Sequence, residues 1–243
     1  MKPIVLIPAR MASLRLPGKP LADIAGVPMI VRVWRQAVAA AIGPVVVAAA
    51  EREIAAAIEA EGGRAVLTKP DLPSGSDRVF AALETIDGGG EHDVIVNLQG
   101  DMPDLDPSYV RRVADMLSDP RVDVATLAAE IVDQSEAGNP AVVKPVVAWR
   151  GDQGRALYFS RAKVPHGAGT YFHHLGIYAF RRAALARFVA LPPSRLETRE
   201  KLEQLRALEA GMIIQVARVD RVPLSVDTAA DLEKARAVLG KST

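Results

Sequence analysis

The chain has 243 residues, 49% of them hydrophobic, with a formal net charge of +1 and no cysteine. That length allows one α/β domain with a large core. The near balance of charge gives no field to draw in nucleic acid or an anionic membrane. Without cysteine there is no disulfide, thiolate metal site or cysteine nucleophile, which fits a reducing compartment. No apolar run approaches ~20 residues and the start lacks an apolar signal core, so the expectation is a soluble cytoplasmic protein with no membrane partner.

In chain order, Ile4-Val5-Leu6-Ile7 reads as a buried strand of a parallel sheet. The stretch Pro8–Pro20 follows, carrying Arg10, Arg15 and Lys19 among two further prolines, Pro17 and Pro20, and Gly18. With hardly any helical period, it reads as an ordered loop at the carboxyl end of strand one, where open α/β sheets place ligands. Three cations on a stiffened loop suit a polyphosphate. The plainer alternative is a solvated basic loop, and charge alone favours it. Lys19 is followed by Pro20 and not by Ser or Thr, so the loop is not a Walker A motif. Nor does a G-x-G-x-x-G follow the strand to suggest a nicotinamide cofactor.

Ala22–Gly26 reads as a turn, and Pro28 opens a helix through Met29, Val33, Trp34 and Ala37. A strand at 45–48, a helix from Glu51 to Glu61 stopped by Gly62-Gly63, and a strand at 65–67 continue the alternation. Strand alternating with helix predicts a parallel sheet. Ser74-Gly75-Ser76-Asp77-Arg78 leads into a helix at about 79–85, which Ser74 or Ser76 can cap. It is either an ordinary turn and cap or an anion-binding helix start. Asp93–Leu98 is the clearest strand and ends in Gln99-Gly100-Asp101. Asp101 is then either a turn residue or a carboxylate at the same sheet edge as the basic loop. There, Mg²⁺ is the natural bridge to a phosphate.

Pro107 opens another helix, 122–128 is a strand, and 139–147 is extended sequence. Ala156–Arg161 and His173–Tyr178 are further strand-like stretches, and the lone histidine pair gives little support for zinc. A single helix is expected from about Arg199 to Ala210, with Leu202, Leu205 and Leu208 buried and Glu203 and Gln204 beside them. A strand at 213–216 precedes Asp227-Thr228, an N-cap signature for a last helix.

The loop I-P-A-R-M-A-S-L-R-L-P-G-K-P-L resembles the signature of the nucleotide-sugar nucleotidyltransferase family, and closely resembles its 3-deoxy-manno-octulosonate (Kdo) cytidylyltransferase branch. V-N-L-Q-G-D, L-Y-F-S-R, H-H-L-G-I-Y, L-E-T-R-E-K-L-E-Q-L-R and V-D-T-A-A-D-L resemble further motifs of that branch, in its order, from about Ile4 to Leu232. The pattern departs at Ala50 (usually Asp), Met102 (usually Glu), His173 (usually Arg) and in a short segment at 164–171.

The resemblance implies an α/β fold of three layers, Rossmann-like, with a mainly parallel central sheet and a β-rich acceptor and dimerisation subregion. It would form one nucleotidyltransferase domain, with a nucleotide half at about 1–130 and a sugar-acid and dimerisation half at about 131–243. It implies CMP transfer from CTP to Kdo by a homodimer, with another sugar acid or a non-catalytic nucleotide binder as alternatives. By the same resemblance Arg10, Arg15, Lys19, Asp101 and Asp227 are catalytic. Pro8, Ala9, Arg10, Lys19, Ser74, Arg78 and Gln99 meet the nucleotide, and Arg161, His174, Tyr178, Glu203 and Gln204 hold the sugar acid. Asp101 and Asp227 hold Mg²⁺.

Overall fold

The alternation expected from the sequence is present in the computed structural model, which describes residues 1–13 and 15–240; Leu14 of the basic loop lies outside them. In chain order the elements are β1 (Pro3–Ala9), β2 (Asp23–Ile24), β3 (Val27–Pro28), α1 (Met29–Ala39), β4 (Val45–Ala49), α2 (Arg52–Glu59), β5 (Arg64–Leu67), α3 (Gly75–Ile86), β6 (Val94–Leu98) and α4 (Pro107–Asp115). Then come β7 (Val124–Glu130), β8 (Lys144–Arg150), β9 (Gln153–Ser160), β10 (Phe172–Arg181), α5 (Arg182–Ala190), α6 (Arg195–Glu200), α7 (Gln204–Glu209), β11 (Ile214–Val219) and α8 (Ala229–Leu239). The chain forms two compact units, Met1–Arg111 with the chain from Pro223 onward, and Arg112–Val222. Asp227 therefore belongs to the first unit, together with Lys19 and Asp101.

In the first unit the strands lie in the order β5-β4-β1-β6 and all pair in parallel. β1 has a neighbour on each side, so its residues from Ile4 to Ala9 are all buried. This is why it reads as an unbroken apolar run and not as an alternating one. Parallel pairing puts the carboxyl ends of β1 and β6 at one edge, and the basic loop and Gln99-Gly100-Asp101 leave from there. The expected turn at 22–26 is a small hairpin, β2 against β3. Its central residues Ala25 and Gly26 both have positive φ, at 51° and 78°, as a type I′ turn requires. Pro28 ends that hairpin and stands just before α1, not inside its first turn.

The last helix closes the first unit. Thr228 and Asp231 form a reciprocal capping box at its start. Leu232 and Ala235 pack with Ile24, Met29 and Val226 in one apolar cluster, against which Leu16 of the basic loop also rests. The approach to the helix is pinned by backbone bonds: Val226 N–H donates to the Asp101 carbonyl at 3.0 Å, and Leu224 N–H to Asp104 Oδ1 at 2.7 Å.

The second unit is a mixed sheet in the order β10-β7-β11-β9-β8, with only β7 and β11 parallel among its pairs. β10 is irregular between Leu175 and Tyr178. Among the described residues no helix is long and apolar enough to cross a membrane.

The single helix expected at 199–210 is in fact two, α6 and α7, broken at Lys201, which adopts left-handed φ 56°, ψ 48°. The sequence has no Gly or Pro to mark the break; α6 instead starts early at a Ser194/Glu197 capping box. Leu202 and Leu205 are buried, while Leu208 is half-buried. A left-handed backbone costs a side-chain-bearing residue about 1–2 kcal/mol. Lys201→Gly should therefore raise stability by roughly 1 kcal/mol, read as a higher urea midpoint at unchanged slope.

Candidate active site

A cavity of about 380 Å³ opens at the carboxyl edge of the first unit's strands. Pro8, Ala9 and Arg10 line it from the end of β1, Arg15 and Lys19 from the loop, Ser74, Gly75 and Arg78 from α3, and Gln99, Gly100 and Asp101 from the end of β6. The expected nucleotide residues are thus drawn to one place. Gly75 and Gly100, each inside one of the sequence motifs, also line the cavity, as does Ser13, which the sequence did not single out. Both glycines mark close approaches: a Cβ at Gly100 would lie 3.1 Å from Ile30 Cδ1, and one at Gly75 would lie 3.4 Å from Pro8 Cγ.

The charge centre is a bridge of one lysine between two carboxylates, with an arginine on the second. Lys19 Nζ donates to Asp101 Oδ2 at 3.0 Å and to Asp227 Oδ1 at 2.9 Å. Arg15 Nη2 reaches the other oxygen of Asp227 at 3.1 Å. Burial alone would lower the Lys19 pKa, but the charges and hydrogen bonds of the two carboxylates outweigh it and raise it. Lys19 is therefore a fixed cation. No group of three or more His, Cys, Asp or Glu side chains suited to a metal occurs among the described residues. The two carboxylates already share one cation, however, and hard oxygen donors completed by phosphate or water oxygens suit Mg²⁺. The donor set fits.

The base of the loop is tied down at Met11. Its N–H donates to Glu51 Oε2 at 2.9 Å, and its carbonyl accepts from Gly18 N–H at 3.1 Å. Glu51 stands one position beyond Ala50, where the sequence pattern lacks its usual acid, so a carboxylate is still present at this edge. Met102, in place of the usual Glu, is buried, which suits an apolar side chain.

Ser74, not Ser76, caps α3, accepting from Asp77 N–H and donating to Asp77 Oδ2. Arg78 is almost fully buried. Its guanidinium donates to Thr68 Oγ1 at 2.6 Å, the Lys69 carbonyl at 2.9 Å and the Pro70 carbonyl at 3.1 Å. Its pKa is lowered, first by burial and then by the nearby Arg10 charge. Arg78 thus borders the cavity while holding the loop after β5.

The sugar-acid candidates lie in the second unit. Phe159, His174 and Tyr178 form a run of rings, with centroids 5.0 Å and 5.5 Å apart. The Tyr178 hydroxyl is pushed well above its ordinary pKa by burial and then by the Glu203 carboxylate. Gln204 is buried at the start of α7. Arg161 is spent locally, donating from Nε to the Glu200 carbonyl at 2.9 Å and from Nη1 to the Pro140 carbonyl at 3.0 Å. Beside it the buried Lys144 ammonium donates to the carbonyls of Asn139, Val142 and Arg161. Neither Lys144 nor Glu200, which accepts from Ser160 Oγ and Arg161 N–H, was singled out from sequence.

His174, one of the residues the resemblance implies for the sugar acid, offers no charge to a carboxylate. It is buried, and burial followed by the neighbouring His173 lowers its pKa to about 3. Its Nε2 lies 2.9 Å from Thr126 Oγ1, and that hydroxyl is also 2.8 Å from the Ile177 carbonyl, to which it can donate. With the hydroxyl proton on that carbonyl, Thr126 accepts from Nε2–H, and the ring is neutral with Nδ1 as an acceptor.

A family model described as cytidylyltransferase matches residues 4–214. A 3-deoxy-manno-octulosonate cytidylyltransferase of Rhodospirillum rubrum is 64% identical over 98% of this chain and 96% of its own length. One of the same name from Parvibaculum lavamentivorans is 63% identical over 98% and 93%. The chain belongs to the 3-deoxy-manno-octulosonate cytidylyltransferase family. A solved CMP:2-keto-3-deoxy-manno-octonic acid synthetase complexed with CTP superposes on this family member with a TM-score of 0.93, at 40% identity and 100% coverage of both chains. A Leptospira borgpetersenii cytidylyltransferase, at 18% identity and TM-score 0.63 over 99% of this chain and 87% of its own, shares the fold.

The state of His174 has a pH signature. Its folded pKa lies near 3 against an ordinary 6.5, so on acidification the unfolded chain takes up the proton first. The stability it contributes is complete above the unfolded pKa and is lost as pH falls toward the folded one. Urea unfolding at about pH 4.5 and about pH 7.5 should show a loss on acidification that is smaller in His174→Gln, by about 2 kcal/mol. An equal acid loss in both proteins would mean that His174 is not held neutral.

Proposed function

We propose that the chain transfers CMP from CTP to 3-deoxy-manno-octulosonate, releasing pyrophosphate. The observation that carries this reading is the convergence of Lys19, Asp101 and Asp227 at a cavity lined by a cationic loop and a carboxamide. The anomeric oxygen of the sugar attacks the α-phosphorus in line: the sugar O–P bond forms, the hydroxyl proton is released to solvent, and the bond to the bridging oxygen of the β-phosphate breaks so that pyrophosphate leaves with the electron pair, with no covalent enzyme intermediate. Arg10, Arg15 and Lys19 neutralise the charge that accumulates on the departing β,γ-phosphates, the dominant kind of assistance in phosphoryl transfer. Pro8, Ala9 and Gln99 frame the cytosine, Ser74 keeps the start of α3 in place, and Arg78 fixes the loop behind it. Asp101 and Asp227 would hold Mg²⁺, which when bound orients the phosphates and lowers the pKa of the attacking hydroxyl. Tyr178, Glu203, Gln204 and a neutral His174 meet the hydroxyls of the sugar, and Arg161 orders the loops around them. We further place the enzyme in the cytoplasm as a homodimer joined through the strands beyond Asn139.

The direct test is pyrophosphate release from CTP and Mg²⁺ with Kdo or sialic acid as acceptor. Kdo should support release and sialic acid should not. Asp101→Ala should lower kcat/KM by at least about 100-fold, and Lys19→Met should do likewise mainly through kcat. Release with sialic acid in place of Kdo would overturn the acceptor. Bound CTP with no turnover on Kdo would overturn the enzymatic reading.

A further inference from the structure

Asn97 is a polar residue in the middle of an otherwise apolar, fully buried strand, Val-Ile-Val-Asn-Leu. It is 1% exposed, and burial of an amide is costly unless its hydrogen bonds are made. They are made in a line. Asn97 Nδ2 donates to Oγ of the buried Ser76 at 3.3 Å, and Asn97 Oδ1 accepts from Gln99 Nε2 at 2.9 Å. The second contact follows from strand geometry, since residues two apart project from the same face. The two amides therefore form a relay with a direction, from Gln99 through Asn97 to Ser76. Gln99 borders the cavity, and its Oε1 receives no hydrogen bond from the described residues. The fit is close: a Cβ on Gly75 would stand 3.3 Å from Gln99 Nε2 and 3.4 Å from Oε1.

Which end of the Gln99 amide is left over decides which pyrimidine it can read. Cytosine carries an exocyclic amine, a donor, at the position where uracil carries a carbonyl, an acceptor. A Gln99 free to turn could serve either base, donating to one and accepting from the other. With one Nε2–H held by Asn97 the amide cannot turn end for end, so its oxygen keeps its place for a donor, and uracil would set two acceptors against each other there. We infer that Asn97 and Ser76 act as positioning residues that hold the Gln99 oxygen available and thereby make the pocket select cytosine over uracil. This rests on the proposed placement of cytosine beside Gln99.

The experiment compares kcat/KM for CTP and UTP at saturating Kdo in the parent, Asn97→Leu, Asn97→Asp, Ser76→Ala and Gln99→Leu. Asn97→Leu should lower the CTP:UTP ratio about tenfold or more, because the amide can then turn. Asp at 97 can only accept from Gln99, so Asn97→Asp should retain preference for CTP. Ser76→Ala keeps Asn97 but removes its acceptor, and should shift the ratio in the same direction as Asn97→Leu by a smaller factor. A general packing defect would depress both nucleotides together and leave the ratio alone. An unchanged ratio in Asn97→Leu beside a collapsed ratio in Gln99→Leu would overturn the relay and leave the cytosine placement standing. An unchanged ratio in Gln99→Leu would overturn the placement itself. A fall in the ratio in Asn97→Asp would overturn the relay, because an acceptor at 97 can hold Gln99 only in the orientation proposed.

Discussion

Asp101 and Asp227 both bond to the ammonium of Lys19, which lies 82 residues before the first and 208 before the second. Two carboxylates drawn together raise each other's energy unless a cation is shared between them, and in this chain Lys19 supplies it. Much of the first unit serves to bring these groups into range. Parallel pairing of β1 and β6 sends the loop and Asp101 off the same edge. The bond from Val226 to the Asp101 carbonyl then lays the late segment beside it. The capping box at Thr228 and the cluster of Ile24, Met29, Val226 and Leu232 anchor the helix that follows. A partly buried charge bridge thus depends on apolar docking of the two ends of the unit.

Several cations of the second unit serve backbone carbonyls. Arg181 donates to the carbonyls of Leu117, Asp119 and Val122, while Lys144 and Arg161 satisfy carbonyls in the loops around 139–142 and 200–201. Irregular loops expose backbone oxygens that neither helix nor sheet can satisfy. A long cationic side chain with several donors closes them without requiring a carboxylate partner. Such residues resemble ligand-binding cations in sequence, since a fork of donors is what both tasks need. Arg161 and Arg78 illustrate the point: each lies at the position expected of a binding residue, yet each spends donors on oxygens of the protein itself.

The alternating strands and helices, the capping chemistry ahead of α3 and α8, and the grouping of the basic loop with Gln99 and Asp101 were legible because each depends on local pattern. Apolar runs, capping chemistry and exit from one sheet edge are written within a few residues of each other. The break at Lys201 was not legible: leucines at helical spacing continue through it, and the local sequence has no breaker. The neutral state of His174 was also hidden, because it arises from Thr126, distant in sequence, and from burial against Phe159 and Tyr178. Glu51 escaped notice because its use is defined by a backbone N–H on another loop.

The sequence by itself determined the α/β class, the family and most of the residues that gather at the cavity, since motifs and period are properties of order along the chain. Tertiary structure decided which of those residues face one another, which charges persist, and which donors remain for a ligand. Those properties depend on desolvation and on distances between groups far apart in sequence. Lys19 keeps its charge because two remote carboxylates surround it, whereas His174 loses its own because no compensating charge is buried with it.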